Sequence, residues 1–264
     1  MSLDAMPVPF YRVLGATAVE IDGVAVGLGG PVPRRVLTAL LATRGHPLSD
    51  DRLFDQVWGA TTRDMTAALR VVVWRLRTAL PVRETLSRTE FGYTLTVPET
   101  ATDTELFTSG IRHGLALLAA GDGPGAVRTL ESALRLWRGD PWLDLGESAH
   151  THTLRRPLTE LREVAVEELQ AAHLSCGNTL SAVAALQAAV DESPYRERRW
   201  ELLALALYRS GRQAHAFAAL RRVHHLLATE IGVAPGPALR TLQHRMLTHD
   251  PALLLAHPTL SRAG

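Results

Sequence analysis

The chain reads as an α+β N-terminal winged helix-turn-helix followed by an all-α, tetratricopeptide-like helical repeat domain. Three observations predict this. β-Favouring runs are confined to the first hundred residues, three helix-period segments lie between them, and a small-residue pattern recurs at helical spacing through the remainder. A length of 264 residues suits two domains, each able to bury its own core. They are expected over residues 8–98 and 102–250, with a tail over 251–264.

From Tyr11 to Gly27 short strand-like runs alternate with turn signals, and Asp22-Gly23 marks a hairpin. Pro33 is expected to open a helix in which Val36, Leu37, Leu40 and Leu41 share one side, and Gly45 closes it. Ser49 suits the cap of a second helix, with Asp50 and Asp51 against its dipole, Leu53, Phe54, Val57 and Trp58 as its apolar side, and Gly59 at its end. A polar loop, Ala60 to Asp64, leads to a third helix from about Met65 to Leu80, stopped by Pro81. Leu86 to Arg88 and Tyr93 to Val97 flank Thr-Glu-Phe-Gly and predict a second hairpin.

This is the element order of a winged helix, in which the third helix enters the major groove of double-stranded DNA. The charge follows the same plan. Arg63, Arg70, Arg75, Arg77, Arg83 and Arg88 face only Asp64 and Glu84 over this stretch, a local net charge of six minus two, although the whole chain carries only +1. On a helical wheel Met65, Leu69, Val72, Val73, Leu76 and Leu80 gather on one side, while Arg70, Val71, Trp74, Arg75 and Thr78 face away. Apolar residues beside arginines on an outer face point to a binding surface. Arg70 and Arg75 are therefore candidates for base edges or nearby phosphates, and Val71 for thymine methyls. Arg34, Arg35, Arg63, Arg77 and Arg88 are candidates for positioning the backbone. The alternative is a protein-interaction module whose winged helix no longer binds DNA and uses Val71 and Trp74 to grip another regulator.

After Pro98 and Glu99 the β pattern ends. The motif Gly-x4-Ala-x3-Leu-x2-Ala/Val occurs at Gly121, Ala126, Leu130, Ala133; at Gly177, Ala182, Leu186, Ala189; and at Gly211, Ala216, Leu220, Val223. The last two copies are 34 residues apart, the period of tetratricopeptide helix pairs. The first two are 56 apart, which implies an insertion of 22 residues over Gly139 to about Arg156. Three such pairs would form a short solenoid suited to holding a peptide or protein surface.

Several activities have no residues to rest on. All 28 basic residues are arginine. Without lysine there is no Walker A loop, internal Schiff base or kinase catalytic lysine. His150 and His152 with Asp144 and Glu147, and His224-His225, fall short of a metal-ligand spacing, since adjacent helical residues diverge by about 100°. The Gly121-Asp-Gly-Pro-Gly segment follows a helix instead of a strand and reads as the repeat's turn. Cys176 sits among apolar helical residues and reads as packing. No enzyme, metal or cofactor is expected. No apolar run approaches the roughly 20 residues of a membrane span. Nothing in Met1 to Phe10 reads as a secretion signal, so a cytoplasmic protein is expected.

The chain resembles the antibiotic-regulatory-protein (SARP-type) activators, which join an OmpR-like winged helix to a bacterial transcriptional activation domain. The segments that carry the resemblance are Gly30 to Leu41, Leu48 to Gly59, Trp74 to Leu80, Gly92 to Leu95, Ala133 to Gly139, Ala206 to Ala214 and Glu230 to Leu239. It implies sequence-specific binding to direct repeats near a promoter and recruitment of RNA polymerase, often as a homodimer. Two places depart from the family pattern. Pro33-Arg34-Arg35 stands for a lysine-glutamine-arginine stretch, and Val71 and Trp74 stand where the family places polar or small residues. No receiver, forkhead-associated or ATPase segment is read in the chain, so neither phosphorelay nor phosphopeptide input is inferred.

Overall fold

A computed structural model describes residues 9–59, 65–81 and 85–255. Strands β1 (Phe10–Arg12), β2 (Ala18–Ile21) and β3 (Val24–Ala25) form an antiparallel sheet in the order β1-β2-β3. Tyr11 pairs with Val19 and both side chains are buried, while Arg12 and Glu20 form an ion pair at 2.7 Å. Asp22 and Gly23 both have positive φ, at 51° and 78°, as a two-residue turn matched to strand twist requires.

Helix α1 (Pro31–Ala42) starts two residues before the expected Pro33. Gly30, at φ 123°, takes the cap position, which lets Pro31 fill the first turn, where a missing N–H costs nothing. Helix α2 (Asp50–Trp58) is capped by Ser49, whose hydroxyl accepts from the Arg52 amide at 3.4 Å, and ends at Gly59 with φ 78°. Helix α3 (Thr66–Ala79) follows, and β4 (Leu86–Thr89) and β5 (Gly92–Leu95) close the hairpin. Leu48 and Tyr93 exchange backbone hydrogen bonds of 2.8 and 2.9 Å, which seats the hairpin against the start of α2. Only glycine fits at position 92, because its φ is 131° and a Cβ there would collide with the Leu48 carbonyl.

The described residues divide into two compact units, those up to 109 with 133–162, and 110–132 with those from 163 onward. This cut differs from the sequence boundary near residue 100, and backbone hydrogen bonds supply the reason. The Leu14 carbonyl accepts from the Arg138 amide and the Val13 carbonyl from the Trp142 amide, each at 2.8 Å. The buried Asp103 carboxylate accepts from the Val13 and Leu14 amides at 2.8 and 3.0 Å. Asp144 accepts from the Thr17 amide at 2.6 Å, and the 3₁₀ turn Leu143–Leu145 packs on α1. The predicted insertion is thus a fitted part of the first unit.

Seven further helices complete the chain among the described residues: α4 (Asp103–Ala119), α5 (Gly123–Leu134), α6 (Ala149–Ser175), α7 (Thr179–Glu192), α8 (Glu197–Arg209), α9 (Gln213–Leu226) and α10 (Pro237–Leu247). The repeat falls where the sequence places it. Gly121, Gly177 and Gly211 have φ of 83°, 81° and 77° at the turns into α5, α7 and α9. Ala126, Leu130, Ala133, Ala182, Leu186, Ala189, Ala216, Leu220 and Val223 are all buried. In the second unit α8 is the central helix, buried from Arg199 to Tyr208 and packed against α7, α9 and α10.

Candidate nucleic-acid interface

Helix α3 has two faces because 3.6-residue periodicity sorts its side chains. Leu69, Val72, Val73 and Leu76, with Leu80 just beyond, are buried in the first unit. Arg70, Val71, Trp74, Arg75 and Thr78 are exposed, with Val71 at 50% and Trp74 at 66%. The span Thr66–Ala79 has three arginines and no acid. Arg70 and Arg75 form no ion pair among the described residues. Thr78 donates its hydroxyl to the Trp74 carbonyl at 2.9 Å, a local bond within the helix.

The remaining candidate arginines are engaged by the protein. Arg77 donates from Nε and Nη2 to the Leu86 carbonyl at 3.0 and 2.7 Å, which ties the end of α3 to β4. Arg35 donates to the carbonyls of Asp144 and Val57 at 3.0 and 2.6 Å, joining α1 to the end of α2 and to the inserted segment. Arg34 pairs with Asp144 at 3.3 Å. Arg88 donates to Asp50 Oδ2 at 2.8 Å and to the Tyr93 hydroxyl at 3.1 Å, and its guanidinium lies 5.0 Å from the centre of the Tyr93 ring. The hydrogen bond to Tyr93, then that to Asp50, hold its pKa above the usual guanidinium value. Arg63 lies outside the described residues.

One exposed residue of the hairpin was not among the sequence candidates. Phe91 stands 69% exposed in the turn between β4 and β5. Its signal was an aromatic residue in a two-residue turn, where no core is within reach. Of the residues considered as metal ligands, Asp144 is engaged as above, and Glu147 lies 2.6 Å from Arg155 and 3.3 Å from His152. Among the described residues no group of three His, Cys, Asp or Glu stands together as a metal site, and no helix is long and apolar enough to cross a membrane.

A three-helix unit with a seated hairpin and a bare cationic outer helix defines an OmpR-like winged helix, here followed by helical repeats. Residues 30–95 match the family described as transcriptional regulatory protein, C terminal, and residues 102–247 match the bacterial transcriptional activator domain. With both domains in this order, the chain belongs to the SARP-type family of transcriptional regulators. It is 34% identical to the transcriptional regulatory protein EmbR of Mycobacterium tuberculosis over 247 residues, covering 91% of this chain and 64% of EmbR. It is also 34% identical to the transcriptional regulator RedD of Streptomyces coelicolor over 250 residues, covering 92% of this chain and 71% of RedD. The solved structure of Mycobacterium tuberculosis EmbR in complex with a low-affinity phosphopeptide superposes with a TM-score of 0.82 at 33% identity, over 93% of this chain and 66% of that one.

Proposed function

We propose that this protein is a cytoplasmic, sequence-specific transcription activator that binds double-stranded DNA at direct repeats near a promoter and recruits RNA polymerase, with no catalytic activity and no cofactor. The observation that carries this reading is the outer face of α3. Arg70 and Arg75 stand there without an ion pair among the described residues, beside exposed Val71 and Trp74. Such a face offers donors to base edges, an apolar contact for thymine methyls and a ring to lie against the sugar-phosphate chain. Arg88 and Arg34 sit at the margin as phosphate contacts, while Arg35 and Arg77 act indirectly by holding α1, α2, α3 and the hairpin in register. Single winged helices bury too little surface for tight specific binding. Two chains on half-sites about 10 to 11 base pairs apart would meet the same side of the duplex, as a homodimer or as a pair assembled on the DNA.

The test is a mobility shift of the full chain on the upstream DNA of its own gene cluster, against random DNA of equal length. A specific shift that prefers two half-sites to one is expected, and equal affinity for both DNAs would overturn the sequence-specific part. Exposure of Val71 and Trp74 also fits a second reading, a winged helix that grips another regulator. That reading gains if no DNA shifts and Trp74→Ala abolishes binding to a partner protein.

A further inference from the structure

The inserted segment reaches the helices of the winged helix through one side chain. Arg35 stands half-buried on α1, and its fork spans two other elements: Nε donates to the Asp144 carbonyl at 3.0 Å and Nη1 to the Val57 carbonyl at 2.6 Å. The last four carbonyls of a helix have no amide partner within it, and Val57 lies in the last turn of α2, two residues before Gly59. Arg35 therefore caps the end of α2 from α1. The turn that carries Asp144 is held in shape. Trp142 enters it at φ 58°, a left-handed conformation that a side chain resists and that persists only where the surroundings enforce it, and Gly146 leaves it at φ 67°. The Asp144 carboxylate fastens the turn to Thr17, just before β2, by accepting its amide at 2.6 Å, and pairs with Arg34 at 3.3 Å. Helices α2 and α3 both pack on α1. Base readout needs side chains held to about half an ångström, whereas attraction to phosphate is long-range and tolerant.

We infer that Arg35 is a specificity-determining positioning residue, through which the inserted turn Trp142–Gly146 sets the placement of α2 and α3 for base readout. The inference rests on the DNA-binding reading above and adds to it a segment that lies far from the winged helix in sequence. Arg35 touches no DNA in this role. A lysine there would keep the charge, but one ammonium cannot replace a planar fork shared between two carbonyls on different elements.

The experiment compares the full chain with its Arg35→Lys, Asp144→Ala and Asp144→Asn variants. Fluorescence anisotropy gives the affinity for the upstream DNA and for random DNA of equal length, and thermal melting checks the fold. Arg35→Lys and Asp144→Ala should bind the upstream site about tenfold more weakly, the size of one lost base contact, and bind random DNA no more weakly than before. Asp144→Asn, which can still accept the Thr17 amide, should keep the discrimination. If Arg35→Lys does not fold, the two Asp144 variants carry the comparison. The inference fails if Arg35→Lys discriminates like the unaltered chain, or if both DNAs are lost in parallel. It fails as well if Asp144→Ala keeps the discrimination, since the insertion then has no part in it, or if Asp144→Asn loses it, since the Arg34 pair and not the turn is then the carrier. An unaltered chain that does not distinguish the two DNAs overturns the sequence-specific reading, and this inference with it.

Discussion

Arginine is used in opposite ways in the two units. On α3, Arg70 and Arg75 stand in solvent with no acid beside them among the described residues. In the helical unit, Arg196, Arg198 and Arg199 at the start of α8 are interlocked with acids. Arg199, 2% exposed, reaches Glu163, Glu167 and the Ala189 carbonyl; Arg196 pairs with Glu167; Arg198 pairs with Glu201 and Glu168. The same side chain is a structural rivet where acids surround it and an available charge where they do not. A net charge of +1 for the whole chain is therefore compatible with DNA binding, because arginines outside α3 such as Arg12, Arg138, Arg155, Arg196, Arg198, Arg199, Arg222 and Arg245 are paired with acids.

The largest effect should come from cutting the first unit. By sequence, residues 1–98 are expected to fold alone and contact DNA, but the amides of Val13 and Leu14 rest on Asp103 and their carbonyls on Trp142 and Arg138. A fragment 1–98 should lose the sheet and much of its cooperative unfolding, seen as a broad thermal transition and poor amide protection. Asp103→Ala in the full chain should show part of this, since each unpaired buried amide costs about 1–3 kcal/mol. A fragment that melts as sharply as the full chain would support the boundary near residue 100.

Arg199→Ala should come next. It leaves Glu163 and Glu167 facing each other without their shared cation and strands the Ala189 carbonyl, a change that costs about 3–5 kcal/mol in chemical denaturation. The DNA affinity of the protein that remains folded should not change. An unchanged denaturation midpoint would show that the network is not the rivet described above.

Much of this arrangement was legible in the sequence, and the exceptions share a cause. The faces of α3 and the buried Ala182, Leu186, Ala216 and Leu220 follow from side-chain periodicity, which residue types report directly. The turns at Gly121, Gly177 and Gly211 follow from glycine's freedom at positive φ. Arg35 and Arg77 were read as backbone-positioning candidates like Arg34, yet both donate to main-chain carbonyls, and a carbonyl acceptor leaves no mark on residue type. The pairing of residues 138–142 with Val13 and Leu14 was hidden for the same reason, because those bonds are backbone to backbone across more than a hundred residues. Phe91 was visible as an aromatic in a turn, but the fit of Gly92 that fixes that turn against Leu48 was not.

Arg70→Ala tests the solvent-facing side of the comparison. If Arg70 reads a base, the variant should fold as before while binding its own site about 1–3 kcal/mol more weakly, with smaller losses on random DNA and relaxed specificity at one position. Equal losses on both DNAs would reassign Arg70 to phosphate.

Arg88→Ala should have the smallest effect, because Arg88 stands between the two regimes. It is half-exposed at the hairpin, yet two of its nitrogens are already committed to Asp50 and Tyr93. A free surface arginine on phosphate would lower the logarithmic salt slope by about 1 when removed. Arg88 shares its charge with Asp50 at 2.8 Å, so its removal should weaken cognate and random DNA alike and change the slope by less than about 1. Asp50→Asn separates sharing from positioning. Removing the carboxylate frees the guanidinium and takes a negative charge away from the approaching phosphates, so affinity for all DNA should rise and the salt slope should steepen. If Asp50→Asn instead weakens binding, Asp50 serves to hold Arg88 in place for phosphate, and the wing arginine belongs with the rivets of the helical unit.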